Sequence, residues 1–146
     1  MIEDLILPAA LRAQIEDAAR KACPRECCGL IEGLREGTRA TAIALHPVRN
    51  MASDPDSFEI APADHFRILR AARAHGRTVI GCYHSHPGGR PAPSPRDGDN
   101  PGADGFVWLI AALPTRTNAL GRVEFGGFAA ARGAFRSLRL VEPALA

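Results

Sequence analysis

Two histidines stand one residue apart in the stretch "GCYHSHPGGRPAPSPRDGD" (81–99), directly before a loop rich in proline and glycine. His84 and His86 occupy positions i and i+2 at the end of a predicted strand, so both side chains point to the same face. Asp97 follows His86 by eleven residues, across a loop that can fold back beside them. Two imidazoles and one carboxylate are typical ligands of a catalytic zinc, which keeps its fourth position open for water. The spacing therefore predicts a metal site.

Two side chains near these ligands also have a structural interpretation. The stretch "SPRD" is typical of a helix start, with Ser94 as the cap, Pro95 in the first turn and Asp97 reaching back to the cap amide. We expect a helical turn to begin at Ser94 and the metal to bind the Asp97 carboxylate. Cys82 precedes His84 by two residues and shares its face, so it is a conceivable soft ligand. Such a cysteine is more often small core filler.

Two helices are predicted from the spacing of apolar residues. Residues 8–22 form the first, and Pro24 ends it. Its apolar face comprises Leu11, Ile15, Ala18 and Ala22. Pro62 begins the second helix, which runs to His75 and stops at Gly76.

Short apolar and β-branched runs predict the strands. They cover residues 27–33, 38–45, 57–60, 77–84, 106–113, 122–132 and 134–142. Turns are expected around Gly37 and Gly133, and a polar loop over residues 46–56. A leading helix followed by this order indicates an α/β or α+β fold, with a mixed β-sheet flanked by helices. The absence of a repeat or linker predicts one domain over residues 1–146.

Composition excludes several classes of partner. The 146 residues are 46% hydrophobic and 23% charged with a formal net charge of +2, and no basic run predicts binding to nucleic acid or to a membrane surface. No apolar run approaches the roughly 20 residues of a membrane span. The first residues lack the features of a signal peptide, so a cytoplasmic location is expected. The cysteines are expected to be reduced thiols; they are Cys23, Cys27, Cys28 and Cys82.

A water bound to zinc needs a base to take its proton. The chain has many acids, and periodicity does not choose among them. By its position alone, Glu26 would be a surface carboxylate at the end of a helix. The other histidines are expected at the surface; they are His46, His65 and His75.

Two motifs in the right order resemble the JAMM (MPN-plus) metalloprotease family. The stretch "HSHPGGRPAPSPRD" (84–97) matches the family's H-[ST]-H-P signature and its downstream S-x-x-D at every defined position. The stretch "PRECCG" (24–29) matches the upstream P-x-E-x-C-G segment, and "FEIAPADHF" (58–66) is similar to the family's F-x-I-x-P stretch. The resemblance covers roughly residues 11–113.

The resemblance implies a role for each matching residue. His84, His86 and Asp97 would hold one zinc ion per chain, and Glu26 would be the general acid and base. Ser94 would help to stabilise the oxyanion. The implied JAMM/MPN fold resembles that of cytidine deaminases. The remaining candidate acids are expected at the surface; they are Glu32, Glu59 and Asp99.

The resemblance also implies a substrate. Family members cleave after the flexible, glycine-ended tails of ubiquitin-like proteins, which can pair with a sheet edge as an added strand. Only eight residues separate Asp97 from the next predicted strand, so the chain resembles the compact bacterial members. We therefore expect a zinc metallopeptidase that cuts the peptide bond after the Gly-Gly tail of a small, sulfur-carrier-like ubiquitin-fold protein.

Three alternatives stay open. An isopeptidase would release a ubiquitin-like protein from conjugated targets. A catalytically silent scaffold would lack the metal residues, all of which are present here. A zinc deaminase also pairs zinc with a glutamate, but the H-x-E and P-C-x-x-C signature of that class is absent from the sequence.

Overall fold

The computed structural model describes residues 1–117 and 120–143. Within them lie seven strands, two α-helices and one short 3-10 helix, Asp97–Asp99. The strands and α-helices, in chain order, are β1 Asp4–Ile6, α1 Ala9–Ala22, β2 Cys28–Glu36, β3 Arg39–Val48, α2 Pro62–Ala74, β4 Thr78–Pro87, β5 Val107–Leu113, β6 Glu124–Ala131 and β7 Ala134–Val141. Both predicted helices are confirmed to within a residue or two. None of the helices described here is long and apolar enough to span a membrane.

The strands close into a barrel in the order β1-β3-β2-β4-β5-β6-β7. Strand β1 runs parallel to both β3 and β7, β4 runs parallel to β5, and the other neighbours are antiparallel. The sheet is therefore mixed, as predicted. Strands β4 and β5 are parallel, so a crossover must connect them. This crossover is the long loop 88–106, which carries Asp97.

The N-terminal strand was not predicted, and the expectation that a helix leads the fold is wrong. Strand β1 has three residues, too few to show a period of two. Pairing on both edges stabilises it. The Asp4 carboxylate also accepts hydrogen bonds from Arg139 of β7, at 2.7 and 3.2 Å.

The predicted strand over residues 57–60 is also wrong, because this segment pairs with no neighbouring strand. The Asn50 side chain holds it instead: its Nδ2 donates to Ser57 O at 3.0 Å, and its Oδ1 accepts from Glu59 N at 3.1 Å. The apolar residues that suggested a strand, Phe58 and Ile60, pack against the core under α2. Side-chain packing, not a ladder, accounts for the pattern.

Strand β4 lies between the two helices and is buried from Val79 to Pro87. One apolar cluster joins α1 to the barrel through residues such as Leu11, Ile15 and Tyr83. A second joins α2 to the other side through Ile68 and Trp108. Ala19 completes the buried face of α1, whereas the predicted Ala18 and Ala22 are only half-buried. Because the two clusters cover both faces of β4, the strand is shielded from water. Its polar side chains must therefore find partners within the protein.

Candidate metal centre

Strand β4 fixes both histidines because it pairs with a neighbour on each side. His84 lies opposite Cys28 of β2 and Ile110 of β5. His84 is fully buried and His86 is 8% exposed. Their Nε2 atoms are 2.9 Å apart, as the shared face of positions i and i+2 predicted. The Phe58 ring stacks on His84 with centroids 4.3 Å apart, which holds the imidazole plane.

The loop after β4 brings the Asp97 carboxylate onto the two histidines. Asp97 Oδ2 lies 3.2 Å from His84 Nε2 and 3.3 Å from His86 Nε2. The same oxygen accepts a hydrogen bond from Ser94 N at 2.8 Å, and Ser94 Oγ accepts one from Asp97 N at 3.2 Å. This is the reciprocal geometry of a capping box. Gly98 N also donates to Ser94 O at 3.2 Å, so a helical turn begins at Ser94 as predicted and continues into the 3-10 helix.

The separations of these three donor atoms fit a zinc ion. Zinc binds imidazole nitrogen and carboxylate oxygen at about 2.0–2.2 Å with tetrahedral angles, so neighbouring donor atoms lie about 3.3–3.5 Å apart. The separations here are 2.9, 3.2 and 3.3 Å. Two imidazole nitrogens and one carboxylate oxygen are also donor types that zinc accepts. The donor set therefore fits the metal that the spacing predicted.

Hydrogen bonding sets the tautomer of one ligand. His86 Nδ1 donates to the carbonyl of Arg90 at 2.8 Å, which leaves Nε2 free as a metal donor. Burial lowers the pKa of His84 and outweighs the opposing effect of Asp97. Burial also lowers the pKa of His86, but Asp97 and the Arg90 carbonyl outweigh it and raise that pKa. Burial disfavours ionisation of Asp97, but both imidazoles hold its pKa well below the ordinary value.

Glu26 faces the same centre from the segment between α1 and β2. One of its carboxylate oxygens lies within 4.8 Å of a ring nitrogen of His84 and of His86, and the residue is 6% exposed. Burial raises the pKa of Glu26 to about 7, His86 opposes this rise, and Asp97 adds to it. Across residues 1–117 and 120–143, nothing donates a hydrogen bond to the buried Glu26 Oε1. A carboxyl group with this pKa can both take and return a proton near neutral pH.

Two further residues hold Glu26 in place, and the sequence reasoning missed both. Ser85 Oγ accepts a hydrogen bond from Cys27 N at 2.8 Å, and Ser85 N donates to Cys27 O at 3.1 Å. Asn50 Nδ2 donates to Glu26 O at 3.1 Å. The signal for Ser85 was its place between the histidines in the H-[ST]-H motif, whereas Asn50 carries no local signal because its partners are distant in sequence.

Close packing explains the glycine of the upstream motif. Gly29 lies opposite Tyr83 in the β2–β4 ladder. A Cβ atom at Gly29 would lie 2.3 Å from the Tyr83 ring, which no side chain could tolerate. Glycine therefore leaves room for the buried Tyr83 ring, immediately after the segment that carries Glu26.

The other sequence expectations have mixed outcomes. Cys82 packs in the apolar cluster with Trp108 and is core filler, and all four cysteines are free thiols. His75, Glu59 and Asp99 are exposed as predicted. Three surface predictions are wrong: His46 and His65 are half-buried and Glu32 is 4% exposed. Glu32 is buried because His46 Nε2 and Arg77 Nη1 contact its two oxygens, at 2.8 and 3.1 Å.

A cleft of about 700 Å³ opens beside the centre. Phe58, Phe106 and Trp108 give it apolar walls, and Arg96 and Asp97 lie at its polar side. Charged residues tie the segment 49–60 to the loops around the cleft. Asp54 pairs with Arg96 at 2.5 Å, and Asp56 pairs with Arg116. Asp97 therefore joins the cleft to the candidate metal centre.

Residues 8–123 match the sequence profile of the family described as prokaryotic homologs of the JAB domain. The chain belongs to this family. Among curated relatives, the desampylase of Haloferax volcanii is 35% identical over 120 residues, which are 79% of this chain and 85% of the relative. A probable TtuB-protein conjugate cleaving protease of Thermus thermophilus is 32% identical over 94 residues, 64% of this chain and 60% of the relative.

Solved structures agree with this membership at the level of the fold. A protein of Desulfitobacterium hafniense superposes with a TM-score of 0.82 at 22% identity, covering 95% of this chain and 92% of that one. A JAB1/MPN domain protein of Archaeoglobus fulgidus gives 0.54 at 20% identity, covering 95% and 99%. These likenesses confirm the predicted fold class, a mixed α+β fold of the JAB/MPN type.

Proposed function

We propose that this chain is a zinc-dependent metallopeptidase that cleaves the bond after the Gly-Gly tail of a small ubiquitin-fold protein. The observation that carries the proposal is the convergence of His84, His86 and Asp97 on one point, with the unpartnered Glu26 carboxylate beside it. Two imidazoles, a carboxylate and a nearby acid are the groups that hydrolysis by a metal-activated water requires.

Each residue has a distinct task in this proposal. One zinc ion per chain, held by His84, His86 and Asp97, would supply Lewis acidity and lower the pKa of a bound water. Glu26 takes the proton from the attacking water and returns it to the leaving amine. The Ser94 hydroxyl accepts from Asp97 N, so its own proton stays available to the carbonyl oxygen of the scissile bond. Asp97, already held by Ser94 N, needs no reorganisation to bind the metal.

The names of the relatives support the substrate class. One is a desampylase and another cleaves TtuB-protein conjugates. The cleft beside Asp97 is open to solvent and suits an extended, narrow chain, which glycines provide. A folded protein lacking a flexible tail would be inert, because its backbone amides already belong to its own hydrogen-bond ladders. The proposed partner is therefore a ubiquitin-fold protein with a flexible, glycine-ended tail.

Cleavage of an isopeptide bond is the second candidate. The word "conjugate" in the name of the Thermus thermophilus relative favours it. The same residues would serve both reactions, because the leaving group is an amine in each case. The difference is whether that amine belongs to a following residue or to a lysine side chain of another protein.

One comparison of substrates tests both candidates. The zinc-loaded protein is incubated with a ubiquitin-fold protein that carries extra residues after its Gly-Gly, and in parallel with the same protein conjugated to a lysine. Mass spectrometry should show removal of the extra residues and no further trimming. Release of the conjugated protein with no trimming of linear tails would favour the isopeptidase. Scattered cuts in unfolded casein would contradict both.

Several coarser expectations accompany this proposal. We propose a single domain over residues 1–146 that acts in the cytoplasm, with neither nucleic acid nor a membrane as a partner. The even charge balance of the chain supports the last point. A catalytically silent scaffold stays an outcome of the metal experiments, since a chain that binds no metal could not act as proposed.

A further inference from the structure

A second cavity, of about 720 Å³, lies away from the metal centre. It lies beside the ends of two hairpins and the start of β5, and Arg35, Arg132 and Arg136 line it together with Asp104. The β4–β5 register aligns His84 with Ile110, five residues beyond the Gly105 that borders this cavity. At about 3.3 Å per residue, the two sites are about 17 Å apart along the strand.

The three arginines of this cavity have no carboxylate partners for their side chains. No ion pair joins Arg35, Arg132 or Arg136 to an acid anywhere in residues 1–117 and 120–143. Arg35 donates only to neutral carbonyls, of Ile80 at 2.9 Å and of Gly105 at 3.4 Å. Burial lowers the pKa of the Arg35 guanidinium.

One guanidinium nitrogen is buried without a partner. Within the described chain, the buried side-chain atoms that lack any hydrogen-bond partner are Glu26 Oε1, His84 Nδ1 and Arg136 Nη1. The first two belong to residues of the metal centre. An unsatisfied buried donor is destabilising, so it calls for an explanation such as a ligand.

Backbone strain marks the same cavity. Arg132 adopts a φ of +52° at the turn between β6 and β7, followed by Gly133 at +75°. Asparagine or glycine suits the first position of such a turn better than arginine does. The carboxylate of Asp104 secures the turn by accepting a hydrogen bond from Arg132 N at 2.8 Å. The two-residue hairpin turn requires a positive φ at both of its positions, and it places Arg132 at the cavity wall.

We propose that this cavity binds a small molecule carrying a phosphate group. Three guanidinium groups against one carboxylate leave the cavity with a net positive charge, which suits a phosphate group. A guanidinium group can donate two parallel hydrogen bonds to two oxygens of one phosphate. The cavity exceeds the size of phosphate itself, and the small side chains of Ala129–Ala131 leave room for an organic portion.

Calorimetric titration of the zinc-loaded, full-length protein with inorganic phosphate and with phenyl phosphate tests the proposal. Trp108, the single tryptophan, gives an independent signal because its ring contacts Phe135, the neighbour of Arg136, with centroids 5.1 Å apart. Phenyl phosphate should bind more tightly than phosphate. If inorganic phosphate bound more tightly than phenyl phosphate, the cavity would have no subsite for an organic portion. If neither bound up to about 10 mM, a binding free energy weaker than about 3 kcal/mol, the proposal would be overturned.

Variants locate the binding. Arg136→Gln should weaken it at least tenfold, whereas Arg67→Gln, an exposed arginine that pairs with Asp64 on α2, should not. Asp104→Asn should tighten it, because it removes the opposing charge and retains an acceptor for Arg132 N. His84→Ala should leave it unchanged; loss in that variant would place the phosphate on the metal and contradict the proposal.

A further variant separates binding from folding. Arg132→Gly should raise the thermal unfolding midpoint, because glycine adopts a positive φ without strain, and should still weaken phosphate binding several-fold. Unchanged affinity in both Arg132→Gly and Arg136→Gln would overturn the assignment. The proposal is independent of the peptidase activity, so neither experiment depends on the other.

Discussion

Two buried glutamates at the two ends of one short stretch have opposite environments. Glu26, just before β2, is 6% exposed and Glu32, within β2, is 4% exposed. His46 and Arg77 contact the two oxygens of Glu32, whereas Glu26 Oε1 has no partner among the described residues. Burial raises the pKa of Glu26 to about 7. Burial also opposes ionisation of Glu32, but His46 and Arg77 outweigh it and lower that pKa.

The comparison shows that partners, not burial, decide what a buried acid does. A carboxylate with satisfied oxygens and nearby cations stabilises the fold in its charged form. A carboxylate without them is destabilising in that form and is kept for a reason other than stability. We therefore assign Glu32 to the fold and propose Glu26 for the chemistry.

Removal of the metal should have the largest effect. It should change the centre that contains Glu26 and leave the ion pairs of Glu32 as they are. Protein purified without added metal should contain about one zinc per chain, the stoichiometry of one set of three protein ligands with an open fourth position. His84→Ala or Asp97→Ala should each abolish tight binding and hydrolysis, as should a chelator, while the exposed His75→Ala retains both. Elemental analysis that finds no transition metal, together with no binding on titration, would contradict the proposed centre.

Glu26→Gln should lower hydrolysis by about 10²- to 10⁴-fold, because the amide keeps the shape of the acid but cannot accept a proton. Zinc content should be unchanged, and the free energy of unfolding should not fall, since the variant removes an unpartnered buried charge. Turnover of a tail substrate and chemical unfolding measure the two quantities. Glu59→Gln, at an exposed position, is the matched control; near-normal turnover by the Glu26 variant would transfer the role to another carboxylate.

Glu32→Gln should show the reverse pattern. The variant loses the charge that holds His46 and Arg77, so the free energy of unfolding should fall by about 1.5–3 kcal/mol, the range for hydrogen bonds to charged groups. The rate per zinc-loaded molecule should stay near that of the wild type. A loss of turnover at unchanged stability would reverse the assignment of the two glutamates.

The residues that hold Glu26 should have smaller effects. Ser85→Ala removes the acceptor for Cys27 N and should lower kcat about tenfold, equal to about 1.4 kcal/mol. KM should change little, because Ser85 is buried behind the centre. Ser85→Thr keeps the hydroxyl and should restore most of the rate. If the threonine variant is as slow as the alanine variant, the hydroxyl has no positioning role.

The dependence of stability on pH should show the smallest effect. The pKa of Glu32 is lowered in the folded state. Its contribution is therefore fully present above the unfolded value of about 4.3 and is lost as pH falls through the folded value. The wild type should lose stability below about pH 4 more steeply than Glu32→Gln. Denaturant titrations between pH 3 and 7 measure the free energy of unfolding of both proteins. Parallel plots of this free energy against pH would show that the ion pairs of Glu32 are ineffective.

Local rules predicted most elements of the fold. The two helices were found because apolar residues recur at helical spacing and proline or glycine marks the ends. Strand β1 was not predicted because its stability comes from pairing with β3 and β7 rather than from its three residues. A strand was wrongly predicted over residues 57–60 because the apolar residues Phe58 and Ile60 alternate as they would in a strand. Hydrogen bonds from Asn50 and packing against the core hold this segment instead.

The sequence by itself predicted the candidate metal donors and the shared face of two of them. His84 and His86 share a face because a strand repeats every two residues, and the capping geometry of Ser94 and Asp97 is equally local. Only the tertiary structure decided which glutamate has partners. It also brought Arg35 to Arg132 and Arg136, about a hundred positions along the chain. Such contacts follow from closure of the barrel, which joins segments that no local pattern relates.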